Sequence, residues 1–145
     1  MSLDGDYDHG NIFAKILRGE MPAARVFEDD HVLAFMDVFP QAKGHTLVIP
    51  KHSSARNLLD EDPAVLSPLF LGVQRVTRAV RAALNPDGIV VTQFNGAPAG
   101  QTIFHLHVHI IPRWEGVPVG RHASGGMADM DALKALAAQI AAKIS

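Results

Sequence analysis

The feature that most constrains the fold is a run of three histidines that alternate with aliphatic residues. Leu106 and Val108 separate His105, His107 and His109. Successive side chains of a β-strand point to opposite faces, so the three imidazoles would share one face and the aliphatic residues the other. In a helix, two residues turn the chain by about 200°, which would scatter the imidazoles. The pattern therefore predicts a strand with one buried face and one face that carries three adjacent imidazoles.

The length and composition indicate one globular domain. The chain has 145 residues, of which 48% are hydrophobic and 19% charged, which is ordinary for a globular protein with a full core. Its apolar runs are far shorter than the roughly 20 residues needed to span a bilayer. The N-terminal residues 1–6 are polar and acidic, unlike a secretory signal. We therefore expect a cytoplasmic protein that does not associate with membranes.

Charge and cysteine content exclude several classes of site. The net charge is −2 and no block of lysine and arginine stands out, so nucleic acid is not an expected partner. A small anionic ligand is compatible with this balance, because a local pocket does not require a positive protein. The chain has no cysteine, which excludes disulfides, thiolate metal sites and a thiol nucleophile.

The hydrophobic periodicity predicts an α+β fold built on an antiparallel sheet of about five strands. One long amphipathic helix should begin after Asp62, and shorter helices should lie near the N-terminus, after Asn11, and at the C-terminus, after Asp129 or Asp131. The predicted strands are residues 25–28, 32–36, 45–49, 89–94 and the histidine strand within residues 101–113.

The same patterns divide the chain into three parts. Residues 1–10 are predicted to be a disordered tail, and residues 11–114 to form the main domain. Residues 115–128 carry four glycines and are expected to connect that domain flexibly to the C-terminal helix. The segment 115–145 is predicted to pack on the same domain.

Three interpretations of the histidine strand compete. A His-x-His pair on a strand can bind a metal ion, and His45, at the start of another strand, could supply a further nitrogen. Alternatively, imidazoles with an ordinary pKa near 6.5 can act as nucleophiles or donors in metal-free phosphoryl transfer. The third interpretation is a structural row of histidines.

The loop before the strand favours phosphoryl transfer. Asn95, Gly96, Gly100, Gln101 and Thr102 bring backbone N–H groups, side-chain amides and a hydroxyl next to the histidines. Glycines allow a backbone to approach an anion closely. A phosphate requires such a cradle, whereas a metal site does not.

The residues 105–111, His-Leu-His-Val-His-Ile-Ile, resemble the histidine triad motif of the HIT superfamily. Residues 99–102, Ala-Gly-Gln-Thr, precede the motif, and Pro112 and Arg113 follow it. Two further blocks, residues 11–30 and 34–51, are similar to the Hint branch, including its bacterial members. The resemblance extends over residues 11–114 and implies a HIT-like fold.

The resemblance implies a nucleotide hydrolase or transferase that acts at the α-phosphate of purine nucleotides. Such enzymes hydrolyse nucleoside 5′-phosphoramidates through a covalent nucleotidyl-histidine intermediate and require no metal or other cofactor. Similar proteins are homodimers whose sheets join across the two-fold axis.

The resemblance also assigns roles to catalytic residues. His107 would be the nucleophile, with its other ring nitrogen held by the main-chain carbonyl of His105. His109 would donate to a phosphate oxygen, while His45 and His105 complete a polar tetrad. Thr102 would lie near the leaving group.

The remaining roles concern nucleotide binding. Asp37 corresponds to the acidic residue that binds the ribose hydroxyls. The family's phosphate-side asparagine falls on Phe94 in this sequence, so the neighbouring Asn95 is assigned that role. The predicted base-pocket residues are Phe13, Ile16 and Val38, and the predicted phosphate-binding residues are Asn95, Gly100 and Gln101.

Two branches of the superfamily fit the motif. The Fhit branch, which cleaves diadenosine polyphosphates, also carries Ala-Gly-Gln-Thr before its triad. The N-terminal block 11–30 favours the Hint branch. Phosphoramidates are therefore the expected substrates, dinucleoside polyphosphates are the alternative, and a histidine-based metal-binding or nucleotide-binding scaffold is a third possibility.

Overall fold

The computed structural model describes residues 2–118 and 126–145. It confirms the predicted α+β class, with a five-stranded antiparallel sheet in the order β1-β2-β3-β5-β4. The strands are β1 Arg25–Glu28, β2 Val32–Met36, β3 Thr46–Pro50, β4 Gly88–Thr92 and β5 Val108–Arg113.

The helices begin where the sequence predicts. They are α1 Ile12–Leu17, α2 Pro63–Leu84 and α3 Met130–Ala141. The side chains of Asn11, Asp62 and Asp129 each accept a hydrogen bond from a backbone N–H in the first turn, which satisfies donors that a helix start leaves without partners. Pro68 lies in the first two turns of α2, and the helix continues through it.

The two faces of the sheet carry separate hydrophobic clusters. Val32, Ala34 and Met36 pack with α2 and α3 in the larger cluster. The alternate residues Leu33 and Phe35 pack on the opposite face, with side chains of β3 and α1. This division follows from the two-residue period of a strand, and it leaves α1 as a thin cover over one face of the sheet.

The histidine strand is shorter than predicted. β5 begins at Val108, so His105 and His107 lie in the segment that enters the strand and only His109 lies within it. Leu106, Val108 and Ile110 nevertheless belong to the larger cluster, as the alternation predicts. The strand cannot pair earlier, because the Leu106 N–H donates to the Ala55 carbonyl, which lies outside the sheet.

The N-terminal segment, predicted to be a disordered tail, lies against the rest of the domain in this structure. Residues 2–10 form no helix or strand, but their backbone is anchored by side chains far along the sequence. Arg56 donates to the carbonyls of Ser2 and Asp6, and Asn57 donates to the carbonyl of Leu3. The polar composition of the segment predicts disorder. The contacts leave no local sequence pattern, because their partners lie about 50 residues away.

The C-terminal helix packs on the same chain. Leu133, Ala137 and Ile140 of α3 are buried in the larger cluster, and α3 contacts α2, β1 and β2. Part of the predicted glycine-rich connection, residues 119–125, lies outside the described residues. Among the described residues, no helix combines the length and the apolar character needed to cross a bilayer.

The close approach of α2 to β2 generates a stability prediction for Gly72. A Cβ atom at this position would lie 2.8 Å from Cγ2 of Val32, a side chain that is fully buried. Glycine to alanine in a helix normally stabilises by about 0.5–1 kcal/mol, but overpacking of a core costs about 1–3 kcal/mol. We therefore expect Gly72→Ala to lower the free energy of unfolding by about 1–2 kcal/mol, measured by urea denaturation.

The matched control for Gly72→Ala is Gln74→Ala, at an exposed position of the same helix. We expect it to change the free energy of unfolding by no more than about 0.5 kcal/mol. A Gly72→Ala protein more stable than the parent would show that β2 and α2 can separate at little cost.

Candidate active site

A cavity of about 510 Å³ opens on the face of the sheet that α1 covers. Seven residues predicted from the sequence or the resemblance line it, and most of its other lining residues are apolar. The seven are Phe13, Ile16, Asp37, Val38, Thr102, His107 and His109. His45 and His105 are fully buried and lie next to the two histidines that line the cavity.

The expected hydrogen bond between the His107 ring and the chain before it is present. Nδ1 of His107 lies 2.6 Å from the main-chain carbonyl oxygen of His105. A carbonyl only accepts, so Nδ1 carries the proton and donates. In the neutral ring, Nε2 of His107 then holds the lone pair that a nucleophile needs.

The protonation of His45 and His109 is determined by a backbone group. The Gln41 N–H donates to Nδ1 of His45 over 3.0 Å, so this nitrogen has a lone pair and Nε2 of His45 carries the proton. Nε2 of His45 lies 2.9 Å from Nδ1 of His109 and donates to it. His109 is therefore neutral and protonated at Nε2, which makes it a hydrogen-bond donor.

Asp37 is buried beside this chain of hydrogen bonds. One of its carboxylate oxygens accepts from the Phe39 N–H over 2.8 Å, and the other lies 3.4 Å from Nε2 of His45. Because His45 is neutral, this contact is not an ion pair. Asp37 also lines the cavity.

The same side chains form a cluster with metal-ligand geometry. Donor atoms of Asp37, His45 and His109 all lie within 4.8 Å of one another. The hydrogen bonds oppose this use, because a neutral imidazole has one lone pair and that of His45 already accepts from Gln41. A metal ion on Nε2 of His45 would have to displace the Gln41 N–H or bind an imidazolate.

His105 is held between two partners. Its Nε2 lies 3.2 Å from the carbonyl oxygen of Pro50, to which it donates, and its Nδ1 lies 2.6 Å from the hydroxyl of Tyr7. Burial lowers the pKa of His105 to about 4, a shift to which His107 adds, while the hydrogen bond to Pro50 opposes it. The ring is therefore neutral at neutral pH.

The apolar wall contains more residues than the sequence reasoning identified. The Phe13 ring packs edge-on against His107 and Phe35, with ring centroids 4.9 and 5.4 Å away. Phe35 and Leu47 also line the cavity. The two-residue period of β2 and β3 could have identified both, because it places them on the face of the sheet that carries the histidines.

The C-terminal segment also reaches the cavity. Met127 and Met130 line it, because the Ala128 N–H donates to the Val38 carbonyl over 2.8 Å and holds the segment against the rim. No sequence signal indicates this contact, since it joins residues 90 positions apart in an irregular segment.

The loop before the histidines does not form the predicted anion cradle. The N–H groups of Gly100 and Gln101 donate to the carbonyls of Ala97 and Gly96. The Gln101 side chain is buried. It donates to the carbonyls of Arg56 and Ile103 and accepts from the Gly96 N–H. Of this loop, Thr102 lines the cavity, whereas Gly100 and Gln101 do not.

Asn95 is directed elsewhere as well. Its side-chain oxygen accepts from the Leu58 N–H and from the Gln93 amide, and the residue does not line the cavity. Phe94, at the family's asparagine position, instead packs its ring against His109, with centroids 5.2 Å apart. Asn95, Gly100 and Gln101 therefore lie outside the lining of this cavity, and local hydrogen bonds use the Gly100 and Gln101 N–H groups. That these three residues bind phosphate stays a prediction.

The reassignment of Gln101 can be tested by Gln101→Glu. A carboxylate would face the carbonyls of Arg56 and Ile103, which the amide now contacts at 2.7 and 3.0 Å. Since buried polar groups without partners cost about 1–3 kcal/mol, and charged ones more, we expect the free energy of unfolding to fall by at least about 2 kcal/mol. Urea denaturation would measure it.

Gln74→Glu, on the exposed face of α2, is the control for the added charge and should leave stability nearly unchanged. Unchanged stability in Gln101→Glu, together with weaker binding of an anionic ligand, would show that Gln101 contacts the ligand rather than holding the loop.

Comparison with known proteins links this geometry to one family. The family model described as the HIT domain matches residues 18–116. The protein named Protein hit of Bacillus subtilis is 45% identical over 103 residues, which are 71% of this chain and 70% of that protein. Adenylylsulfatase HINT3 of Arabidopsis thaliana is 37% identical over 118 residues, which are 77% of this chain and 59% of that protein.

A solved structure resembles the whole fold. The crystal structure of a Hit-like protein from Bartonella henselae, described as involved in cell-cycle regulation and as holding an unknown ligand, superposes with a TM-score of 0.89. It is 48% identical, and the match covers 97% of this chain and all of that one.

Proposed function

Because the chain belongs to the HIT family, we propose that it is a nucleotide-binding hydrolase or transferase that acts at the α-phosphate of purine nucleotide conjugates. The proposed substrates are nucleoside 5′-phosphoramidates. The proposal depends on two ring nitrogens of residues that line an apolar cavity. Nε2 of His107 has a lone pair, and Nε2 of His109 carries a proton. The relative named an adenylylsulfatase supports a nucleotidyl conjugate as the substrate.

The proposed reaction has two steps at phosphorus. Nε2 of His107 attacks the α-phosphorus, a nitrogen–phosphorus bond to the ring forms, and the bond to the substrate's amine breaks as the amine takes up a proton. Water then attacks the same phosphorus, the bond to His107 breaks and the nucleoside monophosphate leaves. The proton that the water releases balances the one taken up by the amine.

The surrounding groups have separate roles in this scheme. His109 donates from Nε2 to a non-bridging oxygen as negative charge builds on it. Thr102 contacts the leaving group at the cavity rim, and Asp37 accepts from the ribose hydroxyls. The purine lies between Phe13, Ile16 and Val38, where apolar contact favours a large base by area. No step requires a metal ion.

The test is a substrate panel with His107→Ala. We expect the parent protein to cleave adenosine and guanosine phosphoramidates faster than diadenosine polyphosphates, and to keep its activity after exhaustive chelation. His107→Ala removes the nucleophile, so kcat should fall at least about a thousandfold while nucleoside monophosphate binding persists. His52→Ala, at an exposed histidine, is the matched control and should retain parent activity.

Each alternative predicts a distinct result. Faster cleavage of the diadenosine compound would favour the Fhit-like activity. Loss of activity on chelation, restored by zinc, would favour a metal site at Asp37, His45 and His109. Micromolar nucleotide binding without turnover by the parent protein would favour a nucleotide-binding scaffold.

We also propose a homodimer that forms along β4. This strand is at the edge of the sheet, where it pairs only with β5, and it carries Val90 and Val91 with 38% and 44% of their surface exposed. Edge strands of monomers usually carry charges or proline that discourage pairing, and Gly88–Thr92 has neither. A second copy paired antiparallel along this edge would cover it.

Val91→Asp tests the dimer, because two new carboxylates would lie close together in the proposed interface. Light scattering coupled to size exclusion should give a dimer for the parent protein and a monomer for Val91→Asp. Leu59→Asp, which places the same charge on an exposed loop leucine, should remain dimeric. A monomeric parent protein at micromolar concentration would contradict the proposal.

A further inference from the structure

The N-terminal segment 2–10 lies against the loop that leads to the histidines. Besides the hydrogen bonds from Arg56 and Asn57, the Ser2 hydroxyl accepts from the Ala97 N–H over 3.0 Å. The Leu3 side chain packs beside Gly96, since a Cβ at that glycine would lie 3.1 Å from it. The segment is thus held at several points, and these contacts bring Tyr7 to the histidine cluster.

The hydroxyl of Tyr7 contacts the buried ring of His105. The oxygen lies 2.6 Å from Nδ1, and the two rings are packed edge-on with centroids 5.7 Å apart. Because Nε2 of His105 donates to the Pro50 carbonyl, Nδ1 of the neutral ring has the lone pair and the Tyr7 hydroxyl must donate. The imidazole is therefore held from both sides.

His105 connects this contact to the proposed nucleophile. Its main-chain carbonyl accepts from Nδ1 of His107 over 2.6 Å, and the two histidines are two positions apart in the sequence. A ring clamped between Tyr7 and Pro50 restricts the side-chain and backbone torsions of His105, and so the position of that carbonyl. Tyr7 does not line the cavity, so it does not contact a ligand there directly, and its hydroxyl reaches the histidine cluster through His105.

We propose that Tyr7 is a positioning residue, which holds His105 in its Nε2–H tautomer and thereby orients the carbonyl that fixes His107. The inference rests on the proposed function for its kinetic consequence, and on the contacts alone for the tautomer. The low pKa of the buried His105 ring is consistent with this role, because a neutral ring has two tautomers, and the Tyr7 donor and the Pro50 acceptor favour the same one.

The test is Tyr7→Phe, which keeps the ring and removes only the donor. Long-range ¹H–¹⁵N NMR distinguishes protonated from unprotonated ring nitrogens. We expect His105 of the parent protein to show a proton on Nε2, and His105 of Tyr7→Phe to show a mixture with the Nδ1–H form. With an adenosine phosphoramidate, kcat should fall about three- to tenfold, the loss expected for one hydrogen bond, and KM should stay within about twofold because Tyr7 lies outside the cavity.

The matched control is Leu3→Ala, which loosens the segment but keeps the hydroxyl. It should leave the His105 tautomer unchanged, even if the melting temperature falls. An unchanged tautomer and an unchanged kcat in Tyr7→Phe would overturn the proposal and leave Tyr7 a packing role. A parent protein without turnover would refute the proposed function, and the NMR comparison would still decide whether Tyr7 selects the tautomer.

Discussion

The backbone N–H of Gln41 determines the direction of the hydrogen bond between His45 and His109. It is a donor that cannot become an acceptor, and it contacts Nδ1 of His45. From that one bond, His45 must donate to His109, and His109 must present its remaining proton at Nε2. Side-chain contacts between imidazoles alone would permit either direction. The main-chain amide makes one direction obligatory, so Nε2 of His109 is a hydrogen-bond donor rather than a nitrogen with a lone pair for a metal ion.

A second hydrogen bond to a backbone group determines the tautomer of His107. The main-chain carbonyl of His105 can only accept, so Nδ1 of His107 must carry the proton that it donates to this oxygen. Nε2 of His107 then has a lone pair, whereas Nε2 of His109 has a proton. Chemically identical side chains thus present a lone pair at one Nε2 and a proton at the other, because each ring contacts a different backbone group or neighbouring ring. The sheet and its two cores hold those backbone groups in place, with α2 and α3 on one face and α1 with the cavity on the other.

The fold was predictable because it depends on periodicity, whereas the apolar residues Phe13, Ile16 and Val38 were assigned to the site through the resemblance. Alternation placed Leu106 and Val108 in the core and the histidines opposite them, and end-capping residues located the helices. The polar loop was not predictable in the same way. Gly100 and Gln101 have the residue types of an anion cradle, but their N–H groups close a local turn. The composition of a loop shows how many hydrogen-bond donors it contains. Only the path of its backbone shows which of these donors already bond within the protein.

The sequence by itself determined the class of fold, the shared face of the histidines and their resemblance to a histidine triad, since these follow from the spacing of residue types along one segment. The tertiary structure decided the tautomer of each ring, the contribution of Met127 and Met130 to the cavity, and the contact of Tyr7 with His105. The physical reason is distance along the chain. Tyr7 and His105 are 98 residues apart, and Ala128 and Val38 are 90 apart, so neither contact leaves a local pattern. Only packing of the finished fold brings them together.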